Sequence, residues 1–159
     1  RVAILAGAKS VISRVGNYQS NIADIAVSAQ VSKATIYNQF ADKAEMMESL
    51  VESEVIRLTE LALAATSRQE ALAVLSTAIS QDLALRKLVE TDPSDIAKLV
   101  TITNHPIWVL AHQGIAKVFG ADSAACGVIL RWLIGQIGSP ITQEESVAQS
   151  KRLAASLFN

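Results

Sequence analysis

Apolar residues recur at spacings of three and four along nearly the whole chain, separated by short polar stretches, and this periodicity predicts an all-α protein. The first segment runs from Val2 to about Val15. Ile4, Leu5, Ala8, Val11, Ile12 and Val15 form its stripe, and Gly16-Asn17 closes it as a C-terminal glycine does. A short helix follows, with Ser20 as the expected N-cap, Asp24 in the first turn and Ile22, Ile25, Ala26 and Ala29 facing inward. Ser32 then caps a still shorter helix reaching about Asn38, with Ile36 on its buried side and Phe40 just beyond. Asp42 is placed to cap a long fourth helix, ending near Ser67, whose stripe includes Met46, Met47, Leu50, Val51, Leu58, Leu61 and Ala65.

Farther along, one helix is predicted from Gln69 to about Glu90, carrying Leu72, Leu75, Ile79, Leu83 and Leu88, until Asp92-Pro93-Ser94 breaks it. Helices are then expected around Ser94 to Val100, from Pro106 to Phe119, from Asp122 to Ile137 and from about Gln143 to Phe158. His105 precedes a first-turn proline and reads as a cap.

The length of 159 residues with half of them apolar allows one or two packed domains and excludes disorder. Net charge is −1, but its distribution is uneven. Through Lys43 there are five basic residues (Arg1, Lys9, Arg14, Lys33, Lys43) against two acidic ones (Asp24, Asp42); beyond it there are nine against thirteen. The lone Cys126 cannot form an intrachain disulfide, reads as a small core residue and fits a reducing cytoplasm. The uncharged run from Leu99 to Ala116 contains Asn104, His105, Pro106, His112 and Gln113, which argues against a membrane span. Arg1 opens on an amphipathic pattern rather than a signal peptide, and the missing initiator methionine points to a native start upstream.

The N-terminal three helices carry the most specific chemistry. A capped helix, a tight turn and a second helix short enough to lie in a DNA major groove make a helix-turn-helix. Ser32, Thr35 and Tyr37 offer hydroxyls, Lys33 a charge and Asn38 an amide, while Ala34 leaves room for a thymine methyl. Lys43, at the start of the next helix, is placed to hold a phosphate. Serine-capped helical clusters are common; the unbroken run from Val31 to Lys43 sets this one apart.

Those residues resemble the DNA-binding domain of the TetR family of bacterial transcription regulators: RVAIL, Gly16, Ser20 with Ile25-Ala26, then VSKATIYNQF and DKAEMM. The resemblance covers about a third of the chain, Arg1 to Leu50. It implies that Ser32, Lys33, Thr35, Tyr37, Asn38 and Lys43 touch double-stranded DNA and that Ile25, Ala26, Ile36 and Phe40 are core. Gln30 stands where the family usually has a turn glycine, Gly7 where it has alanine, Ile12 where it has an aromatic residue and Gln39 where it often has histidine or tyrosine. A non-glycine residue at positive φ costs about 1 kcal/mol.

Residues 1–44 are accordingly expected to form the DNA-binding domain and 45–159 a helical ligand-binding and dimerisation domain. The helix from Asp122 is apolar nearly all round, with Ala125, Val128, Ile129, Trp132, Leu133 and Ile137 on one face and Gly127, Leu130 and Ile134 on another; one core cannot cover both. The resemblance implies a homodimer through the second face. Trp108, His112 and Phe119 form a second stripe on their helix and, with the wall Leu72, Leu75, Ile79 and Leu83 and the polar Arg86 and Thr103, are the expected site of an unidentified, mostly hydrophobic effector. No HExxH, phosphate loop, GxGxxG, GxSxG or zinc-spaced cysteine and histidine set occurs, so neither catalysis nor a cofactor or metal is expected. The function read from the sequence is a ligand-released repressor. Its rivals are a helical protein-interaction module that does not read DNA and a helical enzyme acting beside His112 and Trp108.

Overall fold

The computed structural model describes residues 1–101 and 105–158, which form ten α-helices and, among the described residues, no strand. The all-α architecture read from periodicity is the observed one. The helices group into two compact units, one of Arg1–Ser53 with Leu83–Thr101, the other of Glu54–Asp82 with the described part of 102–159. Helix α4 (Lys43–Leu63) gives its first half to one and its second half to the other.

The first unit contains α1 (Val2–Gln19), α2 (Ile22–Ser28), α3 (Lys33–Tyr37), α6 (Leu83–Thr91) and α7 (Pro93–Thr101). Helix α6 lies along α1. Ile4, Val11 and Ile12 of α1, Ile25 of α2, Ile36 of α3, then Phe40, Met46 and Leu50 make one buried cluster closed by Ala84 of α6. Each large side chain so buried contributes about 1.5–3 kcal/mol. Gly7 is where α1 meets the end of α2, since a Cβ there would lie 2.8 Å from both the backbone nitrogen and the Cβ of Ala29.

Helix α1 breaks at Gly16, where φ is 81° and ψ 177°, and resumes for one more turn. That turn moves the start of α2 along the chain, so the cap is Asn21, accepting from Asp24 N at 2.9 Å, and not Ser20 as expected. Ser20 is buried and donates its hydroxyl to the Asn17 carbonyl at 2.7 Å. Helix α2 ends on Gln30 at φ 55°, with Gln30 N bonded to Val27 O and Val31 N to Ala26 O, the two bonds of a Schellman motif.

The second unit is built around α5 (Arg68–Ser80), which packs against α8 (Pro106–Phe119), α9 (Ser123–Gly138) and α10 (Gln143–Phe158). The single helix expected from Gln69 to Glu90 is two helices. Asp82 stands immediately before α6, a position that favours aspartate over continuation. Leu72, Leu75 and Ile79 keep the buried stripe, but Leu83 leaves it and is 70% exposed. Phe119 stacks on Phe158 with ring centroids 5.8 Å apart, and the Arg68 guanidinium lies over the Phe158 ring at 4.7 Å.

A polar network runs through this core. Ser76 Oγ donates to Gln136 Oε1 at 2.7 Å and lies 2.7 Å from Ser146 Oγ; Ser80 Oγ donates to the same glutamine oxygen at 3.0 Å and accepts from Ile141 N at 3.2 Å. These serines let helices approach closely while satisfying each other's hydrogen bonds. Among the described residues no single helix is long and apolar enough to cross a membrane.

Candidate nucleic-acid interface

Helix α3 is presented by its two ends. At its start, Ser32 Oγ accepts from Thr35 N at 3.0 Å and pairs with Thr35 Oγ1 at 2.9 Å. Buried Ile36 and Phe40 fix its inner side. The outer side consists of Ser32, Lys33, Ala34, Tyr37 and Asn38, all exposed, with Thr35 half-buried beneath its cap bond. Tyr37 is 57% exposed, well beyond what a packed tyrosine leaves open. One short helix face thus offers an ammonium, an amide, two hydroxyls and a methyl gap, the groups that hydrogen-bond phosphates and base edges.

Both ends of the α2–α3 segment are pinned. Arg1 donates to Gln39 O and Ser49 Oγ, each at 2.8 Å, and stacks over the Phe40 ring at 4.2 Å, holding the exit of α3 to α4. The next helix starts on Asp42, whose carboxylate accepts from Glu45 N at 2.8 Å, while Glu45 accepts from Ala41 N at 2.7 Å. Lys43, expected on a phosphate, donates from its ammonium to the carbonyls of Asn17 and Ser20 at the end of α1. Burial lowers the Lys43 pKa, an effect that Asp92 and Asp95 oppose without cancelling.

Asp92 is the polar residue that sequence reasoning missed. It is buried and caps the resumed turn of α1, accepting from Asn17 N and Tyr18 N, each at 2.9 Å, and from Thr91 Oγ1 at 2.6 Å. Burial pushes its carboxyl pKa up. The hydrogen bonds from Thr91, Tyr18 and Asn17, with the nearby Lys43 ammonium, outweigh that and hold the group below the usual carboxylate range. In the sequence Asp92 stands before Pro93 and reads only as a turn; nothing local ties it to residues 17, 18 and 43.

With α6 and α7 folded in, the first unit loses the electropositive bias of its first 43 residues. Arg1, Lys9, Arg14, Lys33, Lys43, Arg86, Lys87 and Lys98 balance Asp24, Asp42, Glu45, Glu48, Glu52, Glu90, Asp92 and Asp95.

The other expected site residues, Thr103 apart, lie on α6, α8 and α9. Trp108 and His112 are half-buried on successive turns of α8, and Phe119 is buried against Phe158. Arg86 is half-buried on α6, in the first unit, and Thr103 lies outside the described residues. In the second unit an open cavity of about 200 Å³ is lined by Ala62, Leu63, Thr66, Arg68 and Val118 among others, with none of the expected residues. Drug-sized sites hold about 300–1,000 Å³. On α9, Gly127, Leu130 and Ile134 are half-buried, and the exposed stripe is Ala124, Val128, Arg131 and Gly135. His105 caps α8, its Nδ1 accepting from Ile107 N at 3.3 Å. Cys126 is buried, as a small core residue should be. Among the described residues no three His, Cys, Asp or Glu side chains converge as metal ligands.

A capped, outward-facing α3 between two pinned ends defines a helix-turn-helix domain. Residues 4–50 match the family described as bacterial regulatory proteins, tetR family. The fold of the whole chain is that of solved TetR-family regulators. It is similar to the TetR family repressor AlkX from Dietzia sp. strain DQ12-45-1b, implicated in biodegradation of n-alkanes, with TM-score 0.69 and 15% identity over 98% of this chain and 93% of that one. The fatty acid degradation regulator FadR from Bacillus halodurans aligns with TM-score 0.67 and 18% identity over 99% and 94%. FadR from Bacillus subtilis, in complex with stearoyl-CoA, aligns with TM-score 0.54 and 19% identity over 97% and 95%. A sequence comparison with curated proteins finds no match.

Proposed function

We propose that the chain is a cytoplasmic transcriptional repressor that binds a pseudo-palindromic operator as a homodimer and is released by a small hydrophobic ligand. The observation that carries this reading is the outer face of α3, which is exposed, unneeded by the core and located inside the family-matched segment. Ser32, Lys33, Ala34, Thr35, Tyr37 and Asn38 lie in the major groove. Lys43 keeps one ammonium proton beyond its two carbonyl bonds and offers it to a phosphate. Residues 1–44 are the DNA-contacting part, and the α9 face bearing Gly127, Leu130 and Ile134 pairs with its counterpart in a second copy. The effector lies beside Trp108, His112 and Phe119. A hydrophobic effector is in keeping with stearoyl-CoA in Bacillus subtilis FadR, a protein of the same fold. The neutral charge of the first unit also suits a protein-interaction module that reads no DNA, so the test must separate the two.

Selection from a pool of random duplexes does so. The repressor reading expects enriched inverted half-sites spaced by about one helical turn, roughly 34 Å, or a multiple of it. Leu130→Glu or Ile134→Glu should lower both dimerisation in sedimentation and operator affinity, because an unpaired carboxylate is buried on association. Stearoyl-CoA or a long-chain fatty acid should change Trp108 emission in a Trp132→Phe background and weaken DNA binding by a coupling of about 1–3 kcal/mol. No enrichment by the wild-type chain supports the interaction module instead.

A further inference from the structure

The 25 residues between Asn17 and Lys43, which contain α2 and α3, form a closed loop, because the Lys43 ammonium bonds the Asn17 and Ser20 carbonyls across its neck. Closing a loop of this length is entropically unfavourable, so what holds the neck decides how firmly the loop's contents are oriented. On its own the neck is weak. Gly16 leaves the helical conformation at φ 81°, and the amides of Asn17 and Tyr18 therefore have no helical carbonyl to donate to. Asp92 supplies one carboxylate oxygen to each of them. Thr91 Oγ1 bonds the same carboxylate, and the Lys43 charge lies close enough to influence its titration. Asn17 adds a side-chain bond from Nδ2 to Asp95 at 3.0 Å. Gly16 is also the residue whose absent side chain leaves room for this, since a Cβ there would collide with Thr91 Oγ1 and Asp92 Oδ2.

We propose that Asp92, which lies outside the family-matched residues 4–50, is a positioning residue of the DNA-reading surface: it clamps the neck of the α2–α3 loop and so fixes the aim of α3. The role rests on the reading that α3 contacts DNA. Asp92 itself touches no DNA. The buried carboxylate compensates for the broken helix, and the loop opposite presents its exposed face without freedom at the hinge. An orienting role of this kind appears as a fall in apparent affinity equal to the lost fraction of correctly aimed molecules.

The test compares wild type, Asp92→Asn, Asp92→Ala and Thr91→Val on the duplex pool enriched by the wild-type protein, at a temperature where each variant is folded by circular dichroism. Amide hydrogen exchange at Asn17 and Tyr18 is followed in parallel. Asp92→Ala should weaken binding about tenfold or more and speed exchange at both amides, having lost two charge-assisted bonds. Asp92→Asn keeps one acceptor oxygen and should rescue part of both losses; Thr91→Val, which leaves the carboxylate in place, should fall between asparagine and wild type. A residue that only stabilises the fold would lower the melting temperature yet leave the affinity of the folded variant unchanged. That result, or equal affinity for folded Asp92→Ala, overturns the inference. If Asp92→Ala does not fold, Asp92→Asn carries the test, and wild-type affinity for it overturns the inference. A wild-type chain that enriches no duplex overturns the DNA reading, and the positioning role with it.

Discussion

The two units solve the packing problem differently. In the first, large side chains such as Ile4, Ile12, Ile25, Ile36, Phe40 and Met46 interlock, and the difficulties are confined to special backbone positions at Gly7, Gly16 and Gln30. In the second, α5, α9 and α10 meet partly through Ser76, Ser80, Gln136 and Ser146, so the specificity lies in side-chain hydrogen bonds. Apart from the Asp92 clamp, the first unit is sensitive to added atoms at a few backbone sites, whereas the second is sensitive to removed polar partners.

The largest effect that sharpens this contrast is expected from Gly16→Ala. It combines a left-handed φ with a collision against Thr91 and Asp92. Destabilisation of the first unit by about 3 kcal/mol or more should follow in urea unfolding. Gln136→Leu tests the second unit: it removes the acceptor of the Ser76 and Ser80 hydroxyls and should cost about 2 kcal/mol. Both tryptophans, Trp108 and Trp132, are in the second unit, so their emission should report Gln136→Leu directly. Gly7→Ala gains helix propensity but presses a methyl on the Ala29 backbone, and a net loss of about 1 kcal/mol is expected. Opposite in sign is Gln30→Gly, which removes the positive-φ penalty and should stabilise by about 1 kcal/mol or somewhat less.

Acid gives the smallest and most local effect. The folded pKa of Asp92 is depressed, so its contribution is present above the unfolded value of about 3.9 and is lost as pH falls through the folded value. Protection of the Asn17 and Tyr18 amides, taken relative to the intrinsic exchange rate at each pH, should fall over that window in wild type and depend less on pH in Asp92→Asn. Protection independent of pH in both would show that the carboxylate does not hold these amides.

The difference between the units also explains what the sequence disclosed. Period and caps were sufficient for α8, α9 and α10, and for α3, whose Ser32 cap and Ile36-Phe40 anchor are local features. The Gln30 departure from the family's glycine correctly marked a positive φ. The break between α5 and α6 was missed because Leu83 and Leu88 continue the α5 period in sequence, while Asp82 gives only a weak stop signal. Gln136 and the buried serines were not legible either, since a polar residue on an apolar stripe is recognisable as core only when its partners, here 60 residues away, are known. Asp92 escaped for the same reason: its partners lie on α1.

Whether the outer face of α3 reads DNA is decided by a single titration. Wild type and Tyr37→Ala/Asn38→Ala are titrated, by fluorescence anisotropy, onto the selected duplex and a scrambled duplex of equal length. Both side chains are exposed, so the double variant should melt with the wild type. Wild type should prefer the selected duplex by about 10³-fold or more, and the variant should lose that preference. A wild type without preference, or a folded variant that retains it, would show that this face of α3 does not read DNA.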